Sequence, residues 1–596
     1  GPNGKEVNPL IGTGGIYYLC ANNHPGAGLP YGMVRLSPDT SSRLGKRATN
    51  MSGYYYSDPL IVGFSHTRLV GTGAIDGGSF LVIPCNEKHV ADITAAKRKG
   101  MNAEFSHKNE TAFPGYYGIH FTSRGITAEL TATRHVGLHR YTFEKSDPPH
   151  LIINVSSVLG KGTCRNATVK VTPATTSPAA TSPDTGEITG SVENFGSFSG
   201  RSGGLKYYFV ARTNLPFTEF STWNDTDLAK SRAEASGDNV GVDLAFPARN
   251  EPTTIELQLA ISCVSLDNAR ANLDAEVGNK NFDDVLKLAV ADWESALNRI
   301  RITGGTDQQR QIFRTALYRT FQMPTASNDV NGQYLGFDKQ IHRAEDFTYY
   351  TDMSLWDTFR TVHPLYNLIA RTEQRDMIRS LLAMADQGGY LPRWPSGAGY
   401  TNSMFGTPAD IVISEAYQKG IRDFDAAHAL DLMKKSALAP VPPGTKFSGR
   451  SGIEHYLQYQ YCPSDLMKKS VASSIEYGYA DHAISRFAAS LGRASDADLF
   501  RKHSAYYRNL LNPETQFFHP RDSQGKFSPD FKPDLLTYLD FSEKYTHAYV
   551  EGSAWQWRWG VPADADEVVK LFKSPEDFVT QLEIFFEKAP SGTAVT

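Results

Sequence analysis

The sequence predicts a two-part fold, in which an N-terminal sandwich of antiparallel β-sheets precedes a helical domain of the α/α-toroid type. Up to about residue 275, apolar and polar residues alternate in short runs broken by Gly and Ser, as in strands with one buried face. From about residue 282, apolar residues recur at helical spacing. Long loops rich in Gly, Pro and aromatic residues separate several of these helices, which is typical of a toroid with a pocket on one face.

The predicted strands of the N-terminal half are short and regularly spaced. The clearest alternation falls within 117–144, 151–157, 167–173, 205–214 and 254–265. Short strands with turn signals between them favour packed antiparallel sheets. The segment TPATTSPAATSPDTGE (172–187) holds too many Thr, Ser and Pro for a regular element, so we expect a surface loop there.

The predicted helices fill the second half of the chain. They cover 282–302, 307–323, 374–386, 408–419, 425–435, 473–491, 495–510 and 564–587. The change of period defines the predicted domains: a β-sandwich over 1–275, a helical linker over 276–303 and a helical domain over 304–596. A chain of 596 residues is too long for one ordinary domain, which agrees with this division.

The composition excludes several classes of partner. The net charge is −4, from 60 Lys and Arg against 64 Asp and Glu, without a basic block, which argues against binding of nucleic acid or of anionic membranes. No apolar run reaches the roughly 20 residues of a membrane-spanning helix. The five cysteines form no CxxC pair, so no zinc or redox motif is indicated. The opening GPNGKEV is consistent with a tag remnant, and the sequence leaves the compartment, the disulfide status and the oligomeric state open.

The segment EGSAWQWRWG places Glu551 shortly before Trp555, Trp557 and Trp559. Burial beside indole rings would raise the pKa of the Glu551 carboxyl, and an acid that keeps its proton near neutral pH can protonate a leaving group. The alternative is a helix that packs its aromatic face into a core, with Glu551 at the solvent edge.

The segment YYTDMSLWDTFRTVHPLYNLI (349–369) groups Trp356, Asp357 and Arg360 near a predicted helix start. Asp357 and Arg360 share a helical face. They would form either a polar clamp for substrate hydroxyls with Trp356 as a stacking surface, or an exposed ion pair of little energetic weight.

Two further acidic residues near helix starts are predicted to be structural. Asp410 fits a first-turn or capping position. Glu476 completes the sequence SSIE, which is typical of a capping box.

Arg393 and Trp394 lie in a loop bounded by Gly and Pro, between Asp357 and Asp410 in the sequence. Trp394 offers another stacking surface there.

Two Gly-rich stretches interrupt the strand pattern, 14–40 with His24 and 61–80 with His66. Neither has the context of a dinucleotide or phosphate loop. The two histidines could contact a ligand or be satisfied structural residues. No GxSxG or HExxH motif occurs. The remaining candidate catalytic groups are carboxylates that lie among aromatic residues, and this combination favours the chemistry of glycoside hydrolysis.

The sequence resembles the calcium-dependent exo-acting α-mannosidases of glycoside hydrolase family 92. The matching stretches span nearly the whole chain and follow the family's order: VNPLIGTGG (7–15), PYGMVRLSPDT (30–40), GFSHTRLVGTG (63–73), SLWDTFRTVHPL (354–365), GTPADIVISEAYQKG (406–420) and EGSAWQW (551–557). The resemblance implies an N-terminal β-sandwich packed on an (α/α)6 barrel, with the active site between them.

The resemblance also implies the site residues. Glu551 would be the general acid of an inverting, calcium-assisted hydrolysis of terminal α-mannose from N-glycans or mannans, with Ser553 where the family motif has Asn. Trp356 and Asp357 would hold the terminal mannose. Four further residues would line the substrate site: Arg393 and Trp394 in the same subsite, and His24 and His66 in the loops 14–27 and 63–73 on the leaving-group side. The expected location is periplasmic or secreted, in a bacterium.

The sequence departs from the family pattern in two places. The family's NEPSHH-type segment, tied to Ca²⁺, and its GNDDxGxMSAW segment, which supplies the general base, are not found. We therefore expect a chain truncated at its C-terminus, an incomplete barrel, and a base and Ca²⁺ ligands beyond residue 596. No metal ligand and no linkage preference are predicted. The alternatives are another (α/α)6 glycosidase or phosphorylase, and a non-catalytic glycan-binding protein.

Overall fold

The computed structural model describes residues 2–15, 22–43, 50–94, 100–144, 147–175, 184–561 and 565–588. The chain forms two compact units. The first comprises Gly1–Met353 and Ser396–Thr401, and the second comprises Ser354–Pro395 and Asn402–Thr596. The predicted boundaries at 275 and 303 remain predictions.

Two antiparallel sheets form most of the first unit. The eight-stranded sheet has the order β1-β2-β3-β9-β16-β13-β14, with β4 paired to β2, and the nine-stranded sheet has the order β15-β10-β11-β12-β17-β8-β7-β6-β5. The strands are β1 Ser37–Ser41, β2 Leu60–Ser65, β3 Leu81–Asn86, β4 Ala103–Glu104, β5 Glu110–Phe113, β6 Tyr116–Phe121, β7 Ile126–Ala132, β8 Val136–Phe143, β9 Pro149–Asn154, β10 Thr163–Thr172, β11 Glu187–Phe195, β12 Leu205–Thr213, β13 Glu219–Asn224, β14 Asp227–Lys230, β15 Glu234–Gly237, β16 Val240–Ala245 and β17 Thr253–Ser262.

Alternating apolar residues of both sheets form one continuous core. In β17, Ile255, Leu257 and Leu259 are buried while the residues between them are only partly covered. In β10, Val169 and Val171 point into the same core and their neighbours are exposed. This period of two follows from the pleat of a strand. The predicted loop 172–187 connects β10 to β11, and its central part lies outside the described residues.

The described part of the first unit contains five helices beside its two large sheets. They are α1 Pro2–Lys5, α2 Val90–Ile93, α3 Leu266–Glu276, α4 Phe282–Leu297 and α5 Asp307–Thr320. Leu273 of α3 and Phe282 and Val285 of α4 pack with Val136 and Val210 of the sheet. Capping boxes start α4 and α5, which fixes both helices at the predicted start. The short strands β18 Thr325–Ala326, β19 Gln333–Leu335, β20 Ile341–Arg343, β21 Tyr350–Thr351, β22 Pro395–Ser396 and β23 Gly399–Tyr400 follow.

The second unit is helical. Its helices are α6 Leu355–Thr358, α7 Val362–Ile369, α8 Arg371–Gly388, α9 Pro408–Gln418, α10 Ala426–Leu438, α11 Ile453–Tyr459, α12 Ser470–Ser490, α13 Ala494–Ser504, α14 Ala554–Trp557, α15 Ala565–Val569 and α16 Pro575–Lys588. The prediction of an antiparallel β domain followed by a helical domain is thus confirmed. The predicted helix over 495–510 ends at Ser504, and Tyr506–Leu510 forms a 3-10 turn. None of the helices in the described ranges is long and apolar enough to cross a membrane.

The helix α12 is the centre of the second unit. It is buried along most of its length and packs against α9 and α13, as expected of a helix made mostly of small and apolar residues. Its start is fixed by tertiary contacts, since the Val471 and Ala472 N–H groups both donate to the Ala548 carbonyl oxygen. The segment before α14 is therefore tied to the first turn of α12.

Candidate active site

Three carboxylates of the second unit interact electrostatically with one guanidinium, and we call Asp357, Glu476, Glu551 and Arg360 the acid cluster. Arg360 Nη2 lies 2.9 Å from Glu476 Oε1. Burial raises the pKa of Glu551 and of Glu476, and the negative charge of Asp357 adds to the rise in both. A Coulombic effect of this kind requires the charges to be close together. The cluster joins α6 and the residues after it, α12, and the loop before α14.

The backbone holds Glu551 in an unusual conformation. Its φ of +46° lies in the left-handed region, which costs a non-glycine residue on the order of 1 kcal/mol or more and persists only where the surroundings enforce it. Hydrogen bonds in both directions join Gly552 to Thr537, at 2.9 and 3.1 Å. On the other side Ser553 caps α14 in a capping box with Gln556. The contacts of Gly552 and Ser553 thus fix the backbone at Glu551 and set the direction of its side chain.

The protonation of Glu551 follows from opposing influences. The side chain reaches solvent, yet the surrounding protein displaces enough water for burial to raise its pKa, with Asp357 adding to the rise. A hydrogen bond from the Tyr538 hydroxyl and the charges of Arg360 and Lys469 act in the opposite direction. The net rise lets Glu551 keep its proton to higher pH than an ordinary glutamic acid, as a general acid requires.

The tryptophans that follow Glu551 pack into the core of the second unit. Trp555 and Trp557 are buried with Phe517 and Val471 in one apolar cluster. The Trp555 Nε1–H donates to Asp534 at 2.7 Å, and the Trp557 Nε1–H donates to the Val550 carbonyl oxygen at 2.8 Å. The alternative of a core-packing helix is therefore confirmed, and it coexists with a raised pKa of Glu551.

Asp357 and Trp356 differ in their access to solvent. Asp357 is exposed and accepts a hydrogen bond from the Ser354 hydroxyl. The surrounding protein displaces water from the Asp357 carboxyl and so raises its pKa, while the hydrogen bond from Ser354 and the charge of Arg360 act in the opposite direction. Trp356 is only 6% exposed, and its buried Nε1–H has no hydrogen-bond partner among the described residues. Its use as a stacking surface stays a prediction.

The structure changes the expected partners of Arg360 and Glu476. Arg360 forms its ion pair with Glu476, 116 positions away, and not with Asp357. The capping-box prediction for Glu476 is wrong, because α12 begins at Ser470 and Glu476 lies in its second turn, buried. The sequence carried one signal for this residue, an acid within a run of mostly small and apolar residues at the start of the predicted helix.

Arg393 and Trp394 are both buried. All five N–H groups of the Arg393 guanidinium donate within the second unit, to the carbonyl oxygens of Asn402, Ser403, Gly406 and Gly449 and to the Ser448 hydroxyl. A guanidinium has five such donors, so none remains for a sugar hydroxyl in this arrangement. Their predicted contacts with substrate stay predictions.

His24 and His66 lie in the first unit, and both are buried. His66 has both ring nitrogens engaged, with Nδ1–H donating to the Phe80 carbonyl oxygen and Nε2 facing His139, as expected of a satisfied structural histidine. His24 Nδ1 accepts from the Gly26 N–H at 3.0 Å, while its buried Nε2 has no partner within the described ranges. Substrate binding by either stays a prediction.

Asp410 occupies the first turn of α9, as predicted. It accepts from the Thr407 hydroxyl at 2.7 Å and lies 3.4 Å from Arg450. Arg450 is also 2.8 Å from Asp481. These fully buried groups form a structural network.

Two family models cover almost the whole chain. The Glycosyl hydrolase family 92 N-terminal domain matches residues 6–262, and the Glycosyl hydrolase family 92 catalytic domain matches residues 268–595. The chain belongs to glycosyl hydrolase family 92. It is therefore a glycoside hydrolase by family, as predicted.

Three known proteins resemble the chain along most of its length. A family GH92 α-mannosidase from Bacteroides thetaiotaomicron, solved in complex with mannoimidazole, is 29% identical with a TM-score of 0.86 and matches 98% of this chain and 74% of its own. A family GH92 inverting mannosidase from Bacteroides thetaiotaomicron VPI-5482 is 26% identical with a TM-score of 0.85 over 98% and 74% of the two chains. An uncharacterized secreted glycosidase of Arthroderma benhamiae is 24% identical over 97% of this chain and 73% of its own.

The family 92 motif with Asn in place of Ser553 is compatible with the observed cap. Ser and Asn are both good N-cap residues, and Ser553 accepts from the Trp555 N–H. The substitution therefore preserves the start of α14 and the placement of Glu551.

The described residues do not fit a calcium site. Within the described ranges, no three His, Cys, Asp or Glu side chains are grouped so that they could hold a metal ion. Calcium takes six to eight oxygen ligands, whereas the acid cluster already contains the guanidinium of Arg360 as its cation. Calcium dependence of this family 92 chain stays a prediction.

Proposed function

We propose that the chain is an exo-acting α-mannosidase that removes terminal α-linked mannose from glycans, with Glu551 as the general acid. Family membership supports glycoside hydrolysis, and two structural relatives are described as an α-mannosidase and an inverting mannosidase. The observation that carries the assignment of the acid is the Glu551 carboxyl, which solvent reaches and whose pKa is raised by burial and by Asp357.

Glu551 has one task in this proposal, the transfer of its proton to the glycosidic oxygen as the bond to the leaving group breaks. Asp357, when ionised, accepts hydrogen bonds from hydroxyls of the terminal sugar. The buried Nε1–H of Trp356, which has no partner among the described residues, lies in a ring that contacts Arg360 of the same cluster. The deprotonated Glu551 regains a proton from solvent, which it reaches directly.

Inversion needs a second carboxylate that activates water on the opposite face of the sugar, about 6.5–9.5 Å from the acid. We assign no residue of this chain to that base. An inverting single displacement and a calcium requirement are part of the proposal as hypotheses, and no step above depends on the metal.

The location and the glycan are also proposals. We propose action outside the cytoplasm, supported by the relative described as a secreted glycosidase. N-glycans or mannans are the proposed substrates, because both carry terminal α-mannose. Fractionation of the source cells, with immunodetection in each fraction, tests the location.

The deciding experiment uses the complete natural polypeptide that carries this sequence. An α-linked mannobiose is incubated with calcium or with a chelator, and the anomeric protons of released mannose are followed by NMR. Early β-mannose that requires calcium supports the inverting, calcium-assisted α-mannosidase. Early α-mannose contradicts inversion, release in the presence of chelator contradicts the calcium requirement, and no mannose in any condition overturns the proposed function.

A further inference from the structure

Arg360 is held on three sides. Its Nη2 lies 2.9 Å from Glu476 Oε1, and its guanidinium carbon lies 4.7 Å from the Trp356 ring centroid and 4.5 Å from that of Phe359. Aromatic faces attract a guanidinium, and its planar fork is well matched to a carboxylate. The Arg360 side chain is 42% exposed, whereas that of Glu476 is 7% exposed. We therefore call the buried Glu476 the anchor, because it fixes the more exposed side chain of Arg360.

Glu476 is a rigid anchor because α12 is rigid. The helix is buried along most of its length, and its first turn is tied to the Ala548 carbonyl oxygen. The same segment leads directly to Glu551. The backbone around Ala548 consequently positions both Glu476, the anchor of Arg360, and Glu551, the acid.

Arg360 acts electrostatically on both exposed carboxylates. Its charge opposes the rise in the pKa that burial causes at Asp357, and it does the same at Glu551. Asp357 in turn raises the pKa of Glu551. Removal of the cation would thus favour the protonated form of Asp357 and of Glu551 together.

We propose that Arg360, anchored by Glu476 and stacked on Trp356, is a positioning residue that holds one fixed positive charge within the acid cluster, where it acts on Asp357 and Glu551. The inference rests on the proposed role of Glu551 as the acid. Glu476 contributes by fixing Arg360 and by neutralising part of its charge. Neither residue needs to touch the substrate.

Other charged and titratable groups face the same place. Lys469 acts on Glu551, Tyr538 hydrogen-bonds to Glu551, and Tyr479 packs on Phe359 at a ring distance of 5.5 Å and interacts electrostatically with Glu476 and Glu415. These groups are unchanged in the variants below, so differences between the variants report on the Arg360–Glu476 pair.

The test compares three variants of the complete natural polypeptide. Arg360→Gln removes the cation, so both limbs of the pH profile of kcat/KM should move to higher pH. Glu476→Gln leaves Arg360 uncompensated, so both limbs should move to lower pH. Arg360→Lys keeps the positive charge but lacks the planar guanidinium that pairs with Glu476. The limbs should therefore return toward the wild-type positions, while kcat falls about 10- to 100-fold because the charge is slightly displaced.

A matched control is Arg422→Gln. Arg422 is exposed, stacks on Tyr417 at 4.5 Å and donates to the Tyr417 carbonyl oxygen, so its replacement removes an arginine charge and an aromatic contact away from the acid cluster. It should leave the limbs and kcat unchanged. Limb shifts of the same sign in Arg360→Gln and Glu476→Gln, or no shift in either, would overturn the inference, because a purely structural role lowers activity without opposite shifts.

A second readout separates the inference from the proposed function. The carboxyl carbon of Glu551, assigned by its disappearance in Glu551→Gln, is titrated by ¹³C NMR in the same variants. Opposite displacements of its titration in Arg360→Gln and Glu476→Gln support the electrostatic part even if wild type releases no mannose, in which case only the proposed function fails. An unchanged titration in both variants overturns the inference even if wild type is an active mannosidase.

Discussion

His66 and His139 face each other inside the first unit, with their Nε2 atoms 3.0 Å apart. His66 Nδ1–H donates to the Phe80 carbonyl oxygen at 2.8 Å, so its Nε2 accepts a hydrogen bond from His139 Nε2–H. His139 Nδ1 then accepts from the Tyr141 hydroxyl at 2.6 Å. This chain of donors and acceptors is consistent only when both imidazoles are neutral.

We expect the first unit to lose stability as the pH falls from about 6.5 to about 4. Burial lowers the pKa of His66 to about 4 and that of His139 well below its usual range. Unfolded imidazoles therefore bind more protons in this window, and the free energy of unfolding falls with pH. For His66 alone the loss is about 3 kcal/mol. Urea unfolding followed by circular dichroism across this window measures it.

The control for this pH effect is a second histidine substitution. His66→Gln should flatten the dependence of the urea midpoint on pH. His120→Gln, at a side chain that is 38% exposed, should leave the dependence as in wild type. Equal slopes in wild type and His66→Gln would show that the buried pair does not cause the acid sensitivity.

Substitution of the two buried carboxylates around Arg450 is expected to lower the free energy of unfolding by different amounts. Arg450 Nη1 is 2.8 Å from Asp481, and Asp481 also accepts from the Tyr456 hydroxyl at 3.0 Å. Burial raises the pKa of Asp410 to about 7, against the opposing charge of Arg450. Asp481→Asn should therefore cost about 3–5 kcal/mol, the usual result of leaving a buried charge unpaired. Asp410→Asn should cost about 1 kcal/mol or less near neutral pH, because an amide replaces a carboxyl that is already partly protonated.

Chemical denaturation of the second unit compares the two variants at neutral pH. The matched pair shares the substitution, the burial and the contact with Arg450, so its difference reports on charge. Equal costs would mean that Asp410 is fully ionised, in contradiction to its raised pKa.

Glu551→Gln should reduce kcat by about two to four orders of magnitude, the usual contribution of a general acid. Gln keeps the shape and cannot donate a proton to the leaving oxygen, so binding of mannose, measured by calorimetry, should survive. Glu543→Gln is the matched control, because Glu543 is an exposed residue in the segment before Glu551 and forms an ion pair with Lys468 at 3.9 Å. Retained hydrolysis in Glu551→Gln would remove Glu551 from the role of acid.

Local patterns of the sequence predicted the fold and parts of the site. The alternation in β17 and the capping residues of α4 and α5 act over a few positions, and the structure places these elements where the patterns put them. The rise in the pKa of Glu551 also follows the prediction, although burial and Asp357 cause it and the neighbouring indoles pack into the core.

Long-range contacts account for what the sequence did not predict. The start of α12 depends on the Ala548 carbonyl oxygen, far along the chain, and no capping side chain marks it. The partner of Arg360 lies 116 positions away, whereas the helical spacing pointed to Asp357. The buried His66–His139 pair brings together residues that are 73 positions apart. Pairings of this kind depend on tertiary packing and leave no periodic signal.

Tyr538→Phe tests the hydrogen bond between the Tyr538 hydroxyl and the Glu551 carboxylate. The turn Thr537–Leu539 is fixed to Gly552 by two hydrogen bonds, which hold the Tyr538 hydroxyl at the Glu551 carboxylate. This hydrogen bond stabilises the ionised form and lowers the pKa of Glu551, against the larger effect of burial. Its removal should therefore move the basic limb of the kcat/KM profile to higher pH. Tyr545→Phe, a phenol that stacks with Lys532 at 3.9 Å, is the control and should leave the limb in place. A basic limb that moves to lower pH in Tyr538→Phe would mean that the hydroxyl instead stabilises protonated Glu551 as a hydrogen-bond acceptor.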